Sequence, residues 1–235
     1  DMGRAAKGRS IANLLELKEG EKVAALIRIL SKTNENREDV TWQQAGELFF
    51  ATQQGTVKKT ALSDFANVRK GGIIAITIDQ GDTLIDVKQT RGSVEGGDEG
   101  DDVVLITRDG MSIRFSESDV RSMGRSAAGV KGITLEQGDA VVALAVVVPD
   151  AALLVAGENG VGKRTSFDEY LVQGESGTRK QSRGGKGRIT MKVGDKTGGV
   201  IGALPVRDTD EIMLITVGGQ MVRTFVKDIR EAGRN

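Results

Sequence analysis

The run Gly157-Glu158-Asn159-Gly160-Val161-Gly162-Lys163 has the GxxxxGK spacing with which a loop wraps the phosphates of a nucleotide. That chemistry needs a Ser or Thr hydroxyl in the next place, to hold Mg²⁺, and a helix N-terminus to meet the phosphates. Arg164 stands there instead. The glycines also coincide with a turn that recurs three more times along the chain, so the match reads as turn chemistry, and a nucleotide-binding enzyme is the weakest of three readings. Cys and His are both absent, which removes thiolate and imidazole metal sites and the usual nucleophilic triads. No catalytic residue, metal or cofactor is expected.

The residues that do fall in register are cations. Lys58 and Lys59, Arg114, Lys163 and Arg164, and Arg223 each sit just past one of the recurring turns. A second group precedes the third strand of each repeat: Arg4, Lys7 and Arg9; Arg69 and Lys70; Arg121, Arg125 and Lys131; Arg179, Lys180, Arg183, Lys186 and Arg188. Lys plus Arg number 33 against 33 Asp plus Glu, so net charge attracts no polyanion and only the distribution can. In a propeller, equivalent positions of successive blades share one circumference, and these cations would form a curved positive track suited to the phosphates of duplex DNA.

Two plainer accounts compete. Surface Lys and Arg keep β edges soluble, and the glycines beside the cations serve turns and bulges as readily as they let backbone N–H groups approach phosphates. Aromatics make up only 3% of the chain, so a stacking platform for single strands is not expected. Phe65, Phe115, Phe167 and Phe225 read as core wedges at similar places in their repeats, and Trp42 as the anchor of a loop. Tyr170, the one tyrosine, stands in FDEYL; an attacking tyrosine would want a neighbouring arginine and a metal-binding carboxylate cluster, and its place in the repeat suggests packing instead.

What must position the cations is a repeat. ELFFATQQGTVKKT, DVVLITRDGMSIRF, ALLVAGENGVGKRT and IMLITVGGQMVRTF share an apolar run, a turn ending in Gly and a basic strand. The turn glycines Gly55, Gly110, Gly160 and Gly219 follow one another at intervals of 55, 50 and 59 residues. Gln54-Gly55, Asp109-Gly110, Asn159-Gly160 and Gly218-Gly219 fall where a two-residue hairpin needs positive φ, and three of the four pairs are favoured type I′ or II′ chemistry. A second pattern supplies two more strands, joined at Glu19-Gly20, Gln80-Gly81, Gln137-Gly138 and a longer turn through Gly198-Gly199.

Two hairpins per period predict an all-β array of four-stranded, propeller-like blades. Its boundaries are a second half-repeat at 3–29, repeats at about 46–90, 102–148 and 152–206, and a partial repeat at 211–235. The acidic stretch Glu95, Asp98, Glu99, Asp101 and Asp102 reads as a loop between repeats. The missing Cys and the lack of any apolar run near 20 residues suit the cytoplasm.

On GRAAKGRSIANLLELKEGE, GTVKKTALSDF, FSESDVRSMGRSAAGVKGI, GVGKRTSFDEY and EIMLITVGGQMVRTFV the chain resembles the family of DNA gyrase A C-terminal domains, over essentially its whole length. The corresponding C-terminal domain of topoisomerase IV is the near alternative, and a propeller-like protein-interaction scaffold is the alternative from another class. The resemblance implies a strand-exchanged β-pinwheel that wraps and bends duplex DNA without sequence preference, in support of negative supercoiling. Cleavage and ATP hydrolysis would lie in other domains, with the gyrase A core and gyrase B as partners in an A2B2 assembly. It also implies a role in DNA binding for Gln181-Ser182-Arg183-Gly184-Gly185-Lys186-Gly187, a partial counterpart of the family's Q-R-R-G-G-K-G box with Ser182 in place of one cation. The box itself would fall before Asp1.

Overall fold

A computed structural model of the chain describes residues 20–30, 32–33, 35–36, 41–43, 46–67, 71–93, 97–174 and 177–234. Among these the regular structure is strand, with short 3-10 turns and no α-helix. Four antiparallel hairpins carry the repeat: β1 (Glu47–Thr52) with β2 (Thr56–Ala61), β4 (Asp102–Thr107) with β5 (Met111–Ser116), β8 (Ala152–Gly157) with β9 (Gly162–Ser166), and β14 (Glu211–Ile215) with β15 (Met221–Phe225).

The turns are not of the two-residue kind expected. Gly55, Gly110, Gly160 and Gly219 have φ of +84°, +82°, +79° and +81°, while the residue before each keeps a negative φ. Their amides donate to the carbonyls of Thr52, Thr107, Gly157 and Thr216. Each loop is therefore three residues long, a type I turn closed by a left-handed glycine. The threonine at the first place adds a second tie, its hydroxyl accepting from the amide of Thr56, Met111 or Gln220 at 3.1 Å. The T-x-x-G pattern of TQQG, TRDG and TVGG is the mark of this turn. Gly110 is also needed for close approach, since a Cβ there would lie 2.0 Å from the carbonyl oxygen of Met191.

The first strands of the first three hairpins, β1, β4 and β8, are apolar runs because both their faces are covered, whereas Met213, Leu214 and Ile215 of β14 are exposed. Along β1, Phe49 and Ala51 face one core with Val103, Leu105, Ile113 and Phe115, while Leu48 and Phe50 face another with Leu62, Phe65 and Val87. Along β4, Val103 and Leu105 look back towards β1, while Val104 and Ile106 look forward to Leu153, Val155, Phe167 and Tyr170. Successive sheets thus stack face to face, with a core between each pair.

Two further strands complete a sheet, and they come from different places. The outer one follows its own hairpin: β3 (Leu84–Thr90) on β1, β7 (Val141–Val146) on β4, and β13 (Val200–Val206) on β8. The other is lent by the next repeat: β6 (Val130–Lys131) pairs with β2, and β12 (Arg188–Ile189) pairs with β5. The resulting orders are β3-β1-β2-β6 and β7-β4-β5-β12, a three-stranded β13-β8-β9 and the two-stranded β14-β15, beside a small ribbon of β10 (Val172–Gly174) and β11 (Gly177–Arg179). Strand exchange therefore links the sheets. The lent strands are only two residues long, much shorter than the third strands expected from the sequence.

Three of the expected wedges, Phe65, Phe115 and Phe167, are buried, and Phe225 is 47% exposed. They do not share a position. The place common to all four repeats is the first residue of the 3-10 turn after the hairpin: Leu62, Glu117, Phe167 and Val226, all buried. Tyr170 is buried as expected, with its hydroxyl 2.7 Å from Thr190 Oγ1.

Candidate nucleic-acid interface

Most of the cations just past the turns face inward. Lys59, Arg114, Arg164 and Arg223 occupy the fourth place after their turn glycines. Lys59 is 2% exposed, with Nζ 2.9 Å from Glu47 Oε2, 2.6 Å from Ser93 Oγ and 3.8 Å from Glu117 Oε2. Arg114 grips Asp102 Oδ2 through Nε and Nη2 at 2.9 and 2.7 Å and donates to the Phe167 carbonyl at 2.7 Å. Arg223 pairs with Glu211.

In each of these three the acid opens the first strand and the cation lies on its partner, two places off the directly paired residue, within reach for a long side chain. An acid twelve residues before the cation was the available signal. In β8 the acid's place is Ala152, and Arg164 turns instead to Asp208, to Glu231 at 3.8 Å and to the Ile229 carbonyl at 2.9 Å.

The third place is as deeply engaged. Lys58 is 0% exposed; its Nζ donates to the Ala75 carbonyl at 2.5 Å and to that of Arg125, and lies 5.5 Å from the centre of the Phe50 ring. Burial pulls its pKa down to about 8, against the opposing pull of Asp64 and with the help of Arg125. Lys163 donates to the carbonyls of Gly233 and Arg234 at 2.5 and 2.6 Å, and burial lowers its pKa as well. The GxxxxGK run is the β8–β9 hairpin and leads into a second strand, not a helix. So Lys58, Lys59, Arg114, Lys163 and Arg164, expected on a phosphate-binding track, are internal ties. A charge on an amphipathic strand shows its register but not which side its neighbours cover.

Near them sits a carboxylate that no sequence pattern singles out. Glu117 is fully buried and accepts from Thr90 Oγ1 at 2.7 Å and from the amides of Gly92 and Asp101 at 3.1 and 2.6 Å. Burial raises its pKa, opposed by those donors and by Lys59. The acidic loop is fastened by cations too. Arg91 holds Asp101 and Asp98, and Lys180 holds Glu99 and Asp102 at 2.6 and 2.9 Å; burial alone would lower the Lys180 pKa, but these two acids raise it.

The segments that cross from one sheet to the next carry the open cations. Arg121, Lys131, Arg179, Lys186 and Arg188 are exposed, as is Arg223 despite its pairing, and Arg125 is half-buried. Arg183 ties two crossing segments together, donating to the carbonyls of Asp119 at 2.8 Å and Lys131 at 3.1 Å. Around it the Gln181–Gly187 loop is sewn down: the Gly184 amide donates to the Gly132 carbonyl at 2.6 Å, and Thr134 donates through its amide and hydroxyl to the carbonyls of Gly185 and Gly184.

Lys186 stands beyond this clasp on Glu136 Oε1, 2.7 Å away. Arg179, Gln181, Ser182 and Arg188 line a shallow polar groove beside it. The fold thus gathers Arg121, Lys131, Arg183, Lys186 and Arg188 from two repeats at one junction. Arg4, Lys7, Arg9, Arg69 and Lys70 lie outside the described residues.

The family described as DNA gyrase C-terminal domain, beta-propeller, matches residues 1–29, 46–91, 101–147, 151–179, 178–207 and 210–235. The chain belongs to this family. DNA gyrase A of Salmonella typhimurium is 41% identical over 235 residues, covering 100% of this chain and 24% of the relative. That of Haloquadratum walsbyi is 42% identical over 237 residues, covering 100% and 25%. The chain thus spans about a quarter of the length of these curated relatives.

Among solved structures, the C-terminal domain of DNA topoisomerase IV matches with a TM-score of 0.79 at 26% identity, over 97% of this chain and 64% of the other. A DNA gyrase A C-terminal domain matches with a TM-score of 0.77 at 24% identity, over 97% and 69%. The all-β, propeller-type array of the family is the fold described above. Among the described residues no helix is long and apolar enough to cross a membrane.

Proposed function

We propose that the chain is a non-catalytic module of a type II topoisomerase of the gyrase kind, which binds duplex DNA by its phosphates and bends it along successive repeats. The observation that carries this is the clustering of Arg121, Lys131, Lys186 and Arg188, exposed, on the crossing segments of a gyrase-family domain. None of them is committed to a buried partner, so each is free to exchange a weak surface contact or water for a phosphate. Their backbone-supported segments present charge without the shaped, groove-filling element that base readout needs. The solved gyrase and topoisomerase IV domains superpose about equally well; the identity to DNA gyrase A over the full chain favours gyrase. In the parent assembly the partners would be the rest of gyrase A and gyrase B, in the cytoplasm.

Binding of a labelled duplex measured against salt tests the reading. Log affinity should fall linearly with log salt, with a slope of about −0.9 for each phosphate met. Lys131→Ala with Arg188→Ala should flatten that slope by up to about 1.8 and leave the melting temperature in place. A double variant with the wild-type slope and affinity would remove these residues from the interface. A salt-independent wild type would remove the function.

A further inference from the structure

The third place after each turn glycine is filled in turn by Lys58, Ile113, Lys163 and Val222, a lysine alternating with an aliphatic residue. Both lysines do the same thing. The crossing chain after β5, laid against β2, sends the amide of Met123 to the Lys59 carbonyl and the carbonyl of Arg125, two residues on, to Lys58 Nζ. The chain after β15, laid against β9, sends the amide of Ala232 to the Arg164 carbonyl and the carbonyl of Arg234, again two residues on, to Lys163 Nζ. Lys58 also holds the Ala75 carbonyl, and so fastens two successive crossing segments at once; Thr77 joins the same pair through its hydroxyl to the Ser126 carbonyl.

Between these two junctions the third place is Ile113, wholly inside the core. There the Gln181 amide still meets the Arg114 carbonyl, and the charged donors are guanidinium groups from other places, Arg114 on the Phe167 carbonyl and Arg183 on those of Asp119 and Lys131; no ammonium reaches the crossing backbone from the third place. A charged donor fixed on main-chain carbonyls sets position as well as proximity.

We propose that Lys58 and Lys163 are positioning residues, each of which sets the angle between the neighbouring repeats at its own joint. That the angle shapes a bound duplex rests on the DNA-bending function above; the joints themselves can be tested without DNA. The chain has no cysteine, so spin labels on introduced pairs are unambiguous. Gln54→Cys with Asp109→Cys spans the Lys58 joint, Asp109→Cys with Asn159→Cys the Ile113 joint, and Asn159→Cys with Gln220→Cys the Lys163 joint.

Pulsed dipolar distances in the parent chain should give one defined distribution for each pair. Lys58→Met should broaden the first distribution about twofold and leave the others alone, and Lys163→Met should broaden only the third. Unchanged widths in variants that still melt cooperatively, or equal broadening of all three, would overturn the proposal; if Lys58→Met fails to fold, Lys163→Met decides. On a duplex of roughly 40 base pairs, well under the persistence length of about 150, each variant should then give less end-to-end energy transfer at an unchanged salt slope. A wild-type chain that leaves the duplex straight would refute the bending function while the DNA-free distances still judge the joints.

Discussion

The cations of the hairpins and those of the crossing segments are the same residue types in the same repeats, yet they have opposite fates. Lys59 and Arg114 are enclosed with Glu47, Glu117 and Asp102, whereas Lys131 and Arg188 stand in solvent. The difference is set by where the next repeat lands. A crossing chain covers the second strand of the preceding hairpin and takes that strand's cations out of reach, while its own side chains become the new surface. Regular spacing along the sequence thus goes with enclosure at Lys59, Arg114 and Arg164, while the exposed cations of the crossing segments are the ones we propose for phosphates.

Removing an enclosed cation should have the largest effect. Lys59→Met leaves Glu47 and Glu117 buried beside an apolar chain, and breaking such a pair from one side costs about 3–5 kcal/mol. Urea unfolding should show this as a lower midpoint, and the fraction that stays folded should bind duplex with the wild-type salt slope. A loss below about 1 kcal/mol, the range of an exposed pair, would mean that the hairpin cations are not the fastenings the geometry makes them.

A smaller effect is expected from pH. Lys58 titrates at about 8 in the fold against 10.5 as its ordinary value, so between those limits the unfolded chain binds more protons than the folded one and stability should rise with pH. Lys58→Met should remove that part of the rise. Stability that falls from pH 8 to 10 in the wild type, with the same fall in the variant, would show that Lys58 is not held in the surroundings described.

The least effect belongs to an exposed cation. Lys186→Ala loses only its contact with Glu136, both side chains being about 70% exposed, and should leave the urea midpoint in place. It should nonetheless flatten the salt slope of DNA binding, by about 0.9 if Lys186 meets one phosphate. Together with Lys59→Met, it separates the two classes in opposite directions.

Much of this architecture is legible in the residues. The turn glycines and the apolar runs before them locate all four hairpins, because positive φ and, in the first three, a strand buried on both faces each leave a local mark. The turn type is less so, because Gln54, Asp109 and Asn159 suit a primed turn, whereas Thr52, Thr107 and Thr216, just ahead of the loop residues, decide for a type I turn with a hydroxyl tie.

The site is harder to read. That Lys59 faces Glu117 depends on the 3-10 turn of the next repeat, and that Arg183 clasps Lys131 depends on strand exchange across about fifty residues; neither follows from period-two alternation. Arg121, Lys131, Lys186 and Arg188 carry no pattern to distinguish them from the buried cations, since exposure is a property of what fails to arrive.

The exchange of β6 and β12 has a consequence for how such arrays change in length. The first two sheets borrow their last strand from the sequence that follows, so a cut between those hairpins separates no self-sufficient unit, and a deletion that is not a whole period leaves one lender without a borrower. A duplication of one full period, inserted wherever the cut falls, restores every loan, because the new copy brings a strand for the sheet before it and a hairpin for the strand after it. Growth by tandem duplication thus needs no new interface to be invented, and the seam of an old duplication would leave no scar in the hydrogen bonding.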